Sequence, residues 1–340
     1  MATIKDIAKL SGYSIGTVSR VLNDRPDVSE AARQKIREII KRENFQPNIN
    51  AKHLKQVHSS PVTVLVKGTN NLFLTLILEK IQLHLNRAGE DSTVVFLGEA
   101  ADEAQAAAQL CRERNPKGLL FLGGDLRNFR NGYTDIEVPS VLVSAYAKNL
   151  GIPTMSSFST DDYEGGRAAM KLLVENGHRR VLVVGGFKSD EEEQVSVQRL
   201  NGAVSVLKEH DIPFDKKEQY VECIFSMEDG YRAVRGALSR HPDITAVFAL
   251  SDLIAIGGMR AAYELGKKVP EDVSFIGFDG IEYADFTIPR LVTIRQDIDS
   301  LAKHSVEDLL YRISYKRAAV HRRIPFKVSG RDSVAKNLNT

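Results

Sequence analysis

The sequence is poor in several features that define other classes of protein. It has no tryptophan, only two cysteines, and no apolar run of the ~18 residues that a membrane-spanning helix needs. Cys111 and Cys223 lack the spacing of a metal site, so both are expected to be reduced and structural. The first residues, MATIKDIAKL, contain no apolar signal-peptide segment. These absences predict a cytoplasmic protein without a membrane partner.

Charge is unevenly distributed along the 340 residues. Residues 1–60 hold eleven Lys or Arg and six Asp or Glu, a net charge of +5, whereas the whole chain carries +2 and the remainder therefore −3. A basic first segment on a mildly acidic body is typical of a protein whose first part binds a polyanion. A solvated basic surface would explain the charge equally well, so charge alone leaves both interpretations open.

The first 45 residues have the apolar spacing of helices only. Gly12 separates the first two predicted helices, the polar turn at 23–27 separates the last two, and Ser29 is the expected N-cap of the third. The pattern predicts a compact bundle of three helices without a strand. The three apolar stripes are Ile4, Ile7, Ala8 and Leu10; Val18, Val21 and Leu22; and Ile36, Ile39 and Ile40.

From Pro61 the pattern changes to short apolar runs that alternate with amphipathic helices. This alternation predicts parallel sheets with helices on both faces, in a segment long enough for two lobes, and ligands should bind at the carboxyl ends of the strands. The chain is thus predicted to be an α/β protein with a helical domain at 1–47, a polar linker at 48–60 and a two-lobed core at 61–340. The apolar runs are at 62–66, 93–96, 118–122, 140–143, 180–184, 246–250 and 273–277.

The segment GYSIG at residues 12–16 admits two interpretations. It fits G-x-S-x-G, the turn that presents a nucleophilic serine in many hydrolases, but that turn follows a strand. Ser14 instead follows a helical stripe, and too few residues precede it to form a sheet. In a helix-turn-helix, Ser14 caps the second helix with Thr17 at its third position, and Gly12 supplies the turn. The neighbouring residues thus favour the helix-turn-helix interpretation, so the hydrolase is rejected.

Residues 3–23, TIKDIAKLSGYSIGTVSRVLN, resemble the opening of the lactose-repressor and purine-repressor family. The likeness continues through VS at 28–29, FQPN at 45–48 and AKHL at 51–54, and the body resembles that family's periplasmic-binding-protein-like core. The resemblance implies a homodimeric, sequence-specific repressor on a pseudo-palindromic double-stranded operator, controlled by a small molecule between the core lobes. A sugar is the default effector. A sugar phosphate, a nucleobase or a phosphorylated carrier protein stays an alternative.

The resemblance also implies a recognition helix, from about residue 15 to 23, in the major groove. Ile15, Gly16 and Arg20 would then lie at base edges, while Thr17 and Ser19 contact phosphates or cap the helix. The fork of Arg20 matches guanine O6 and N7, although a phosphate contact fits it equally well. Gly16 carries no donor or acceptor, which leaves its place on a base-reading surface unexplained.

Residues 48–55 would form the hinge helix of the family. The resemblance implies that Leu54 enters the minor groove as a wedge; the alternative is that Leu54 packs on the core. Lys52 stands where the family usually has an arginine, and it lacks the arginine fork. The complete set of expected DNA contacts is Thr3, Ser14, Ile15, Gly16, Thr17, Ser19, Arg20, Asn23, Asn48, Ala51, Lys52 and Leu54.

The core lacks the motifs of nucleotide-binding and catalytic proteins. GFKS at 186–189 is not a P-loop, GGD at 123–125 is not G-x-G-x-x-G, and the eight histidines form no H-E-x-x-H. The sequence therefore predicts neither an enzyme nor a cofactor or metal site. A soluble sugar-binding protein without a DNA role is the rival class, and the basic first domain argues against it.

An effector cleft accounts for the remaining polar residues at strand ends. Carboxylates and an arginine suit the hydroxyls of a sugar. Asp252 is alternatively a helix N-cap, and Phe73 and Phe225 are alternatively core residues. Asp162 departs from the family, which usually has an amide there, and Gly280 replaces the asparagine that often follows Asp279. From the resemblance, the expected effector contacts are Phe73, Asp161, Arg199, Phe225, Ser251, Asp252 and Asp279.

Overall fold

The computed structural model describes residues 4–22, 28–43, 60–68, 71–187 and 191–337, without the side chains of Ile4, Lys5, Ser19 and Leu22. The chain divides into two compact units, Met1–Ser59 and Ser60–Thr340, and each is described by itself. Several predicted DNA contacts lie outside the described residues, namely Thr3, Asn23, Asn48, Ala51, Lys52 and Leu54.

The first unit contains three helices, α1 (Ile4–Ser11), α2 (Ile15–Leu22) and α3 (Glu30–Arg42). The predicted N-cap of α3 is confirmed, because Ser29 Oγ accepts a hydrogen bond from the Ala32 amide at 3.4 Å. The apolar core joins all three helices and includes Ile7, Ala8, Val18, Val21, Ile36 and Ile39.

The prediction that Leu10 belongs to the apolar face of α1 is wrong, since its side chain is 49% exposed. The buried face runs through Ile7, Ala8 and Ser11. With 3.6 residues per turn, Leu10 lies roughly a third of a turn from the centre of that face.

The second unit contains two sheets of six strands, each belonging to one lobe. The first sheet is parallel throughout, in the order β11-β5-β4-β3-β1-β2. Val64 pairs with Val94 on one side and Leu120 on the other. The strands of this lobe are β1 (Val62–Lys67), β2 (Ser92–Leu97), β3 (Gly118–Leu122), β4 (Ser140–Val143), β5 (Met155–Thr160) and β11 (His321–Ile324), and its helices are α4 (Leu72–Arg87), α5 (Glu103–Arg114), α6 (Leu126–Gly132) and α12 (Ile298–Ser314).

The second lobe repeats this plan in the order β12-β10-β9-β8-β6-β7, with only the β10–β12 pair antiparallel. Its strands are β6 (Val181–Val184), β7 (Tyr220–Val221), β8 (Ala246–Ala249), β9 (Ser274–Asp279), β10 (Val292–Gln296) and β12 (Phe326–Ser329). Its helices are α7 (Asp162–Glu175), α8 (Val195–Glu209), α9 (Lys216–Gln219), α10 (Met227–Arg240) and α11 (Asp252–Glu264).

The central strands are buried on both faces, which is why they are continuous apolar runs in the sequence. In β1, Val64 and Val66 belong to the apolar cluster formed with α4 and α12, while Leu65 belongs to the cluster on the opposite face. All seven predicted strands are present, and the structure adds β5, β7, β10, β11 and β12. None of the helices in the described ranges is long and apolar enough to cross a membrane.

The chain passes between the lobes three times. The crossings follow β5 at Thr160, β10 at Gln296 and β11 at Ile324. Because parallel strands end at the same edge of a sheet, these crossings bring the carboxyl ends of both sheets to one cleft.

Candidate functional site

The N-terminus of α2 has the cap that the sequence predicts. Ser14 Oγ accepts a hydrogen bond from the Thr17 amide at 3.1 Å, and it lies 2.9 Å from Thr17 Oγ1. Val18 and Val21 anchor the opposite side of α2 in the core, so the remaining surface of the helix faces outward. Ile15, Gly16 and Arg20 are exposed on it.

Gly16 is not required by the packing of the first unit. A Cβ atom added there would meet only Ser14 Oγ, at an ordinary distance of 3.6 Å, and no positive φ is found at this position. An alanine therefore fits the isolated unit. The packing of the unit therefore does not explain the glycine at this helical position.

A cleft of about 410 Å³ lies between the two lobes of the second unit. It adjoins the carboxyl ends of β1, β3, β4 and β9, as expected for such sheets. Of the seven expected effector contacts, Phe73, Arg199, Phe225 and Asp279 line it.

Arg199 lies at the centre of the second lobe's side of the cleft. Its guanidinium lies over the Phe278 ring, 3.6 Å from the centroid. Nε donates to Asp162 Oδ1 at 2.8 Å, and Nη1 donates to the carbonyl of Leu250 at 2.6 Å. Nη1 also lies 3.7 Å from Asp279 Oδ1. One buried cation is thus shared by two buried carboxylates.

The close packing of α7 against α8 explains how Arg199 reaches Asp162. A Cβ atom at Gly166 would lie 2.1 Å from the Arg199 carbonyl oxygen, and one at Gly202 would lie 2.1 Å from the Tyr163 carbonyl oxygen. Only glycine permits the two backbones to approach so closely. These two glycines hold the arginine of α8 beside the first residue of α7.

Asp279 ends β9, and its carboxylate accepts a hydrogen bond from Gln296, which is itself bound by Thr160. Gln296 Nε2 donates to Asp279 Oδ1 at 2.9 Å, and Thr160 Oγ1 donates to Gln296 Oε1 at 2.6 Å. Burial raises the pKa of Asp279 to about 7, against the opposing effect of Arg199 and with a smaller contribution from the charge of Asp162. Burial likewise raises the pKa of Asp162 to about 6. Asp279 has a φ of 113°, a strained conformation of the kind found at ligand sites.

Three of the expected effector contacts have other partners. Ser251 Oγ accepts from the Ile254 amide at 3.3 Å, so the N-cap of α11 is Ser251 and not Asp252. Asp252 is fully buried and accepts from Thr293 Oγ1 at 2.5 Å and from the Ile281 amide at 2.8 Å. It therefore supports the segment that carries Asp279 instead of lining the cleft.

Asp161 also lies off the cleft wall. One of its oxygens caps α7 through the Glu164 amide at 3.2 Å, and the other lies 2.5 Å from Arg323 Nη1. The sequence alone could not separate Asp161 from its neighbour Asp162, because both carboxylates follow the same strand.

The first lobe contributes charged residues that the sequence analysis missed. Lys67 Nζ lies 2.6 Å from Glu103 Oε1 and donates to the Ala101 carbonyl at 2.5 Å. Arg127 forms a bidentate ion pair with Asp125, in which Nε and Nη2 lie 2.6 to 3.1 Å from the carboxylate oxygens. Lys67 ends β1, and Asp125 follows β3. Both could therefore have been predicted from their positions at the carboxyl ends of strands.

A segment at 191–194 of the second lobe contacts the first lobe, and we term it the interlobe clasp. Arg130 donates to both carboxylate oxygens of Glu191 at 2.7 and 2.8 Å, and Asn149 donates to Glu193 at 3.0 Å. Gln194 Oε1 accepts from the Leu126 amide, at the first residue of α6, at 3.3 Å. Gln194 is buried and also lines the cleft, so it connects the ligand cavity to the contact between the lobes.

Comparison with known proteins agrees with this two-part organisation. Residues 3–48 match the model of the bacterial regulatory proteins of the lacI family, and residues 170–334 match a periplasmic binding protein-like domain. The chain is 32% identical to the HTH-type transcriptional regulator MalR of Clostridium butyricum over 336 residues, 97% of this chain and 98% of that protein. It is 32% identical to the ribose operon repressor of Haemophilus influenzae over 314 residues, 92% of each. A transcriptional regulator CelR–cellobiose complex is 26% identical with a TM-score of 0.69, and the match covers 98% of this chain and 100% of that one.

A helix-turn-helix unit followed by a two-lobed ligand-binding core defines a DNA-binding regulator controlled by a small molecule. The chain belongs to the LacI family of bacterial regulatory proteins. It is a transcription regulator of the repressor type that binds operator DNA under the control of an effector, and it is not an enzyme. The predicted family, fold class and general function are thereby confirmed, while the contacts of individual residues with DNA and effector stay predictions.

Proposed function

We propose that this regulator acts in the cytoplasm as a homodimer on a pseudo-palindromic operator, with a neutral sugar between its lobes as the effector. The observation that carries the choice of ligand is the charge balance of the cleft. Three cations lie on its wall within the described residues, and each pairs with a carboxylate: Lys67 with Glu103, Arg127 with Asp125, and Arg199 with Asp162. A carboxylate or phosphate group would have to compete with these internal pairs.

The other groups on the wall suit an uncharged polyhydroxyl ligand. Phe225 offers an apolar face, and Asn71, Asn128 and Ser144 offer neutral donors and acceptors. Phe73 borders the cleft but is 5% exposed and belongs to the apolar core of the first lobe. Such a mixture of apolar surface and a few convergent polar groups is typical of small-molecule sites, and the neutral polar groups here match the hydroxyls of a sugar. Two similar proteins also support a sugar effector. One is a regulator in complex with cellobiose, and the other is named a ribose operon repressor.

The cleft is connected to the crossings between the lobes. The hydrogen bonds from Thr160 to Gln296 and from Gln296 to Asp279 join the cleft wall to two of the three crossings. A ligand that binds Asp279 would therefore change how the two lobes contact each other and bias operator binding through the hinge at 48–60, of which residues 48–59 lie outside the described residues. Such coupling is a free-energy linkage between two sites.

A gel-shift assay on the promoter region of the protein's own gene tests the proposal. Binding is measured with and without neutral mono- and disaccharides, sugar phosphates and nucleobases. A change in operator affinity with a neutral sugar supports the proposal. A response only to a sugar phosphate, a nucleobase or a phosphorylated carrier protein would replace the sugar with that effector.

Gln194→Ala should weaken effector binding by about fivefold, because the contact between the lobes beside the cleft loses a buried hydrogen bond worth about 1 kcal/mol. Titration of the effector identified by the gel shift measures the change. Gln109→Ala is the matched control, because Gln109 is exposed on α5, donates to Glu113 at 2.7 Å and lies away from the clasp and the cleft wall. Equal effects of both substitutions would show that Gln194 has no special part in closure.

Gly16→Ala should stabilise the first unit by about 1 kcal/mol, because glycine is a poor helix former, and should weaken binding to the native operator. We propose that the bare backbone of Gly16 approaches the groove closely, while Ile15 and Arg20 read the bases. Gel shifts with native and unrelated DNA measure the effect, and non-specific binding should stay unchanged.

Gly236→Ala is the control for Gly16→Ala, because Gly236 is an exposed helical glycine with no atom within 4 Å of an added Cβ. If Gly16→Ala binds the native operator as well as wild type, close approach is wrong.

A further inference from the structure

The pairing of Arg199 with Asp162 is the most deeply buried of the three ion pairs at the cleft. Both side chains are less than a tenth exposed, whereas Arg127 is 44% exposed. The guanidinium is fixed on four sides, by the Phe278 ring, the Leu250 carbonyl, Asp162 and Asp279. It therefore cannot swing away from Asp162 to meet a ligand.

The two carboxylates around Arg199 have different positions with respect to the ligand. Asp279 and Arg199 line the cleft, whereas Asp162 lies behind the guanidinium and is absent from the wall. Asp162 thus acts on the cleft through the charge of Arg199. With both acids ionised, the group of three carries a net charge of −1.

We infer that Asp162 sets the charge selectivity of the cleft: by neutralising Arg199 from behind, it makes the cleft accept uncharged ligands and reject ligands that carry a carboxylate or a phosphate. The inference rests on the proposed function of the cleft as the effector site. It assigns the choice between neutral and anionic ligands to a specificity-determining residue that does not touch the ligand.

Asp162→Asn tests the inference, because it removes the charge while its amide oxygen can still accept from Arg199 Nε. Sulfate is the probe, and its affinity for the full-length protein is measured by calorimetry at pH 8, against chloride at matched ionic strength. Removal of one unit charge a few ångströms from the site should increase sulfate affinity about tenfold or more, at an effective dielectric constant of about 20. Glucuronate should gain affinity relative to glucose in the same way.

Three further variants make the test specific. Asp161→Asn removes the same charge one residue earlier, from a carboxylate that pairs with Arg323, and should leave sulfate affinity unchanged. Asp162→Ser is measured in parallel as a second neutral variant, so that the outcome does not depend on the folding of one protein. Arg199→Gln in the Asp162→Asn background should remove the gain.

The inference is overturned if the wild type already binds sulfate as tightly as Asp162→Asn. It is equally overturned if Asp161→Asn gains as much, or if the gain survives the loss of Arg199. If the wild type responds to no sugar in the gel shift while Asp162→Asn gains sulfate affinity through Arg199, the charge role of Asp162 is supported and only the sugar assignment fails.

Discussion

Asp279→Asn should weaken effector binding by about ten- to a hundredfold and leave operator binding without effector unchanged. A hydrogen bond to a charged group contributes about 1.5–3 kcal/mol, and Asp279 is the carboxylate that faces the cleft beside Arg199. Asparagine keeps the shape of the side chain and an oxygen that can accept from Gln296. Effector titrations in the gel shift and by calorimetry measure the two parts of this prediction.

The same substitution should stabilise the protein at alkaline pH. Burial raises the pKa of Asp279 from the ordinary 3.8 to about 7, with Arg199 opposing and Asp162 adding like charge. A raised pKa means that the folded state is penalised for holding the ionised form, fully above about pH 7 and not at all below about pH 4. The stability advantage of Asp279→Asn over wild type should therefore be largest at pH 8 and should disappear towards pH 4.

Asp243→Asn is the control for Asp279→Asn, because Asp243 is an exposed acid paired with Arg180 at 2.9 Å away from the cleft. It should change neither effector affinity nor the pH dependence of stability. A properly folded Asp279→Asn protein that binds effector normally but loses operator binding would refute the assignment of Asp279 to the cleft.

Sequence patterns predict the strands that carry apolar side chains on both faces. β5 shows why the other strands were not predicted. Its sequence, MSSFST, contains four hydroxyl residues, yet all six residues are buried. Ser156 accepts hydrogen bonds from Arg312 and from the Val320 amide, and Ser157 bonds to His321. These partners lie more than 150 residues further along the chain, so no local window of sequence contains them.

The cleft was predictable where it depends on strand ends and unpredictable where it depends on helix packing. Asp279 follows an apolar run that ends a strand, and this position alone places it at the cleft. The pairing of Arg199 with Asp162 instead requires the close approach of α7 and α8 at Gly166 and Gly202. A contact of that kind is set by the backbone of two helices and leaves no signal at the charged residues.

Glutamate at both Phe286 and Ile288 should convert the proposed dimer into monomers. These side chains are 75% and 96% exposed. Their loop is firmly attached, because Ala284 is buried in the core, Thr287 Oγ1 donates to the Ala284 carbonyl at 3.1 Å, and the Leu291 amide donates to the same carbonyl at 3.0 Å. Large apolar side chains displayed on a fixed loop mark an interaction surface.

The expected effect of this double substitution is large for two reasons. Burial of each such side chain contributes about 1.5–3 kcal/mol to association, and in a twofold interface the side chain is buried once in each subunit. A helix-turn-helix monomer also reads only one half-site, so operator affinity should fall by orders of magnitude when the dimer dissociates. Light scattering during gel filtration measures the mass, and a gel shift at the same protein concentration measures operator binding.

Tyr315→Glu is the control, since Tyr315 is 63% exposed at the end of α12 and should affect neither mass nor operator binding. The double variant should still bind effector, because both residues lie outside the cleft wall. A protein that remains dimeric with glutamate at both positions would show that the subunits associate through another surface. A protein that becomes monomeric but binds the full operator as tightly as wild type would show instead that one helix-turn-helix suffices, and the pseudo-palindromic operator would then have no structural basis.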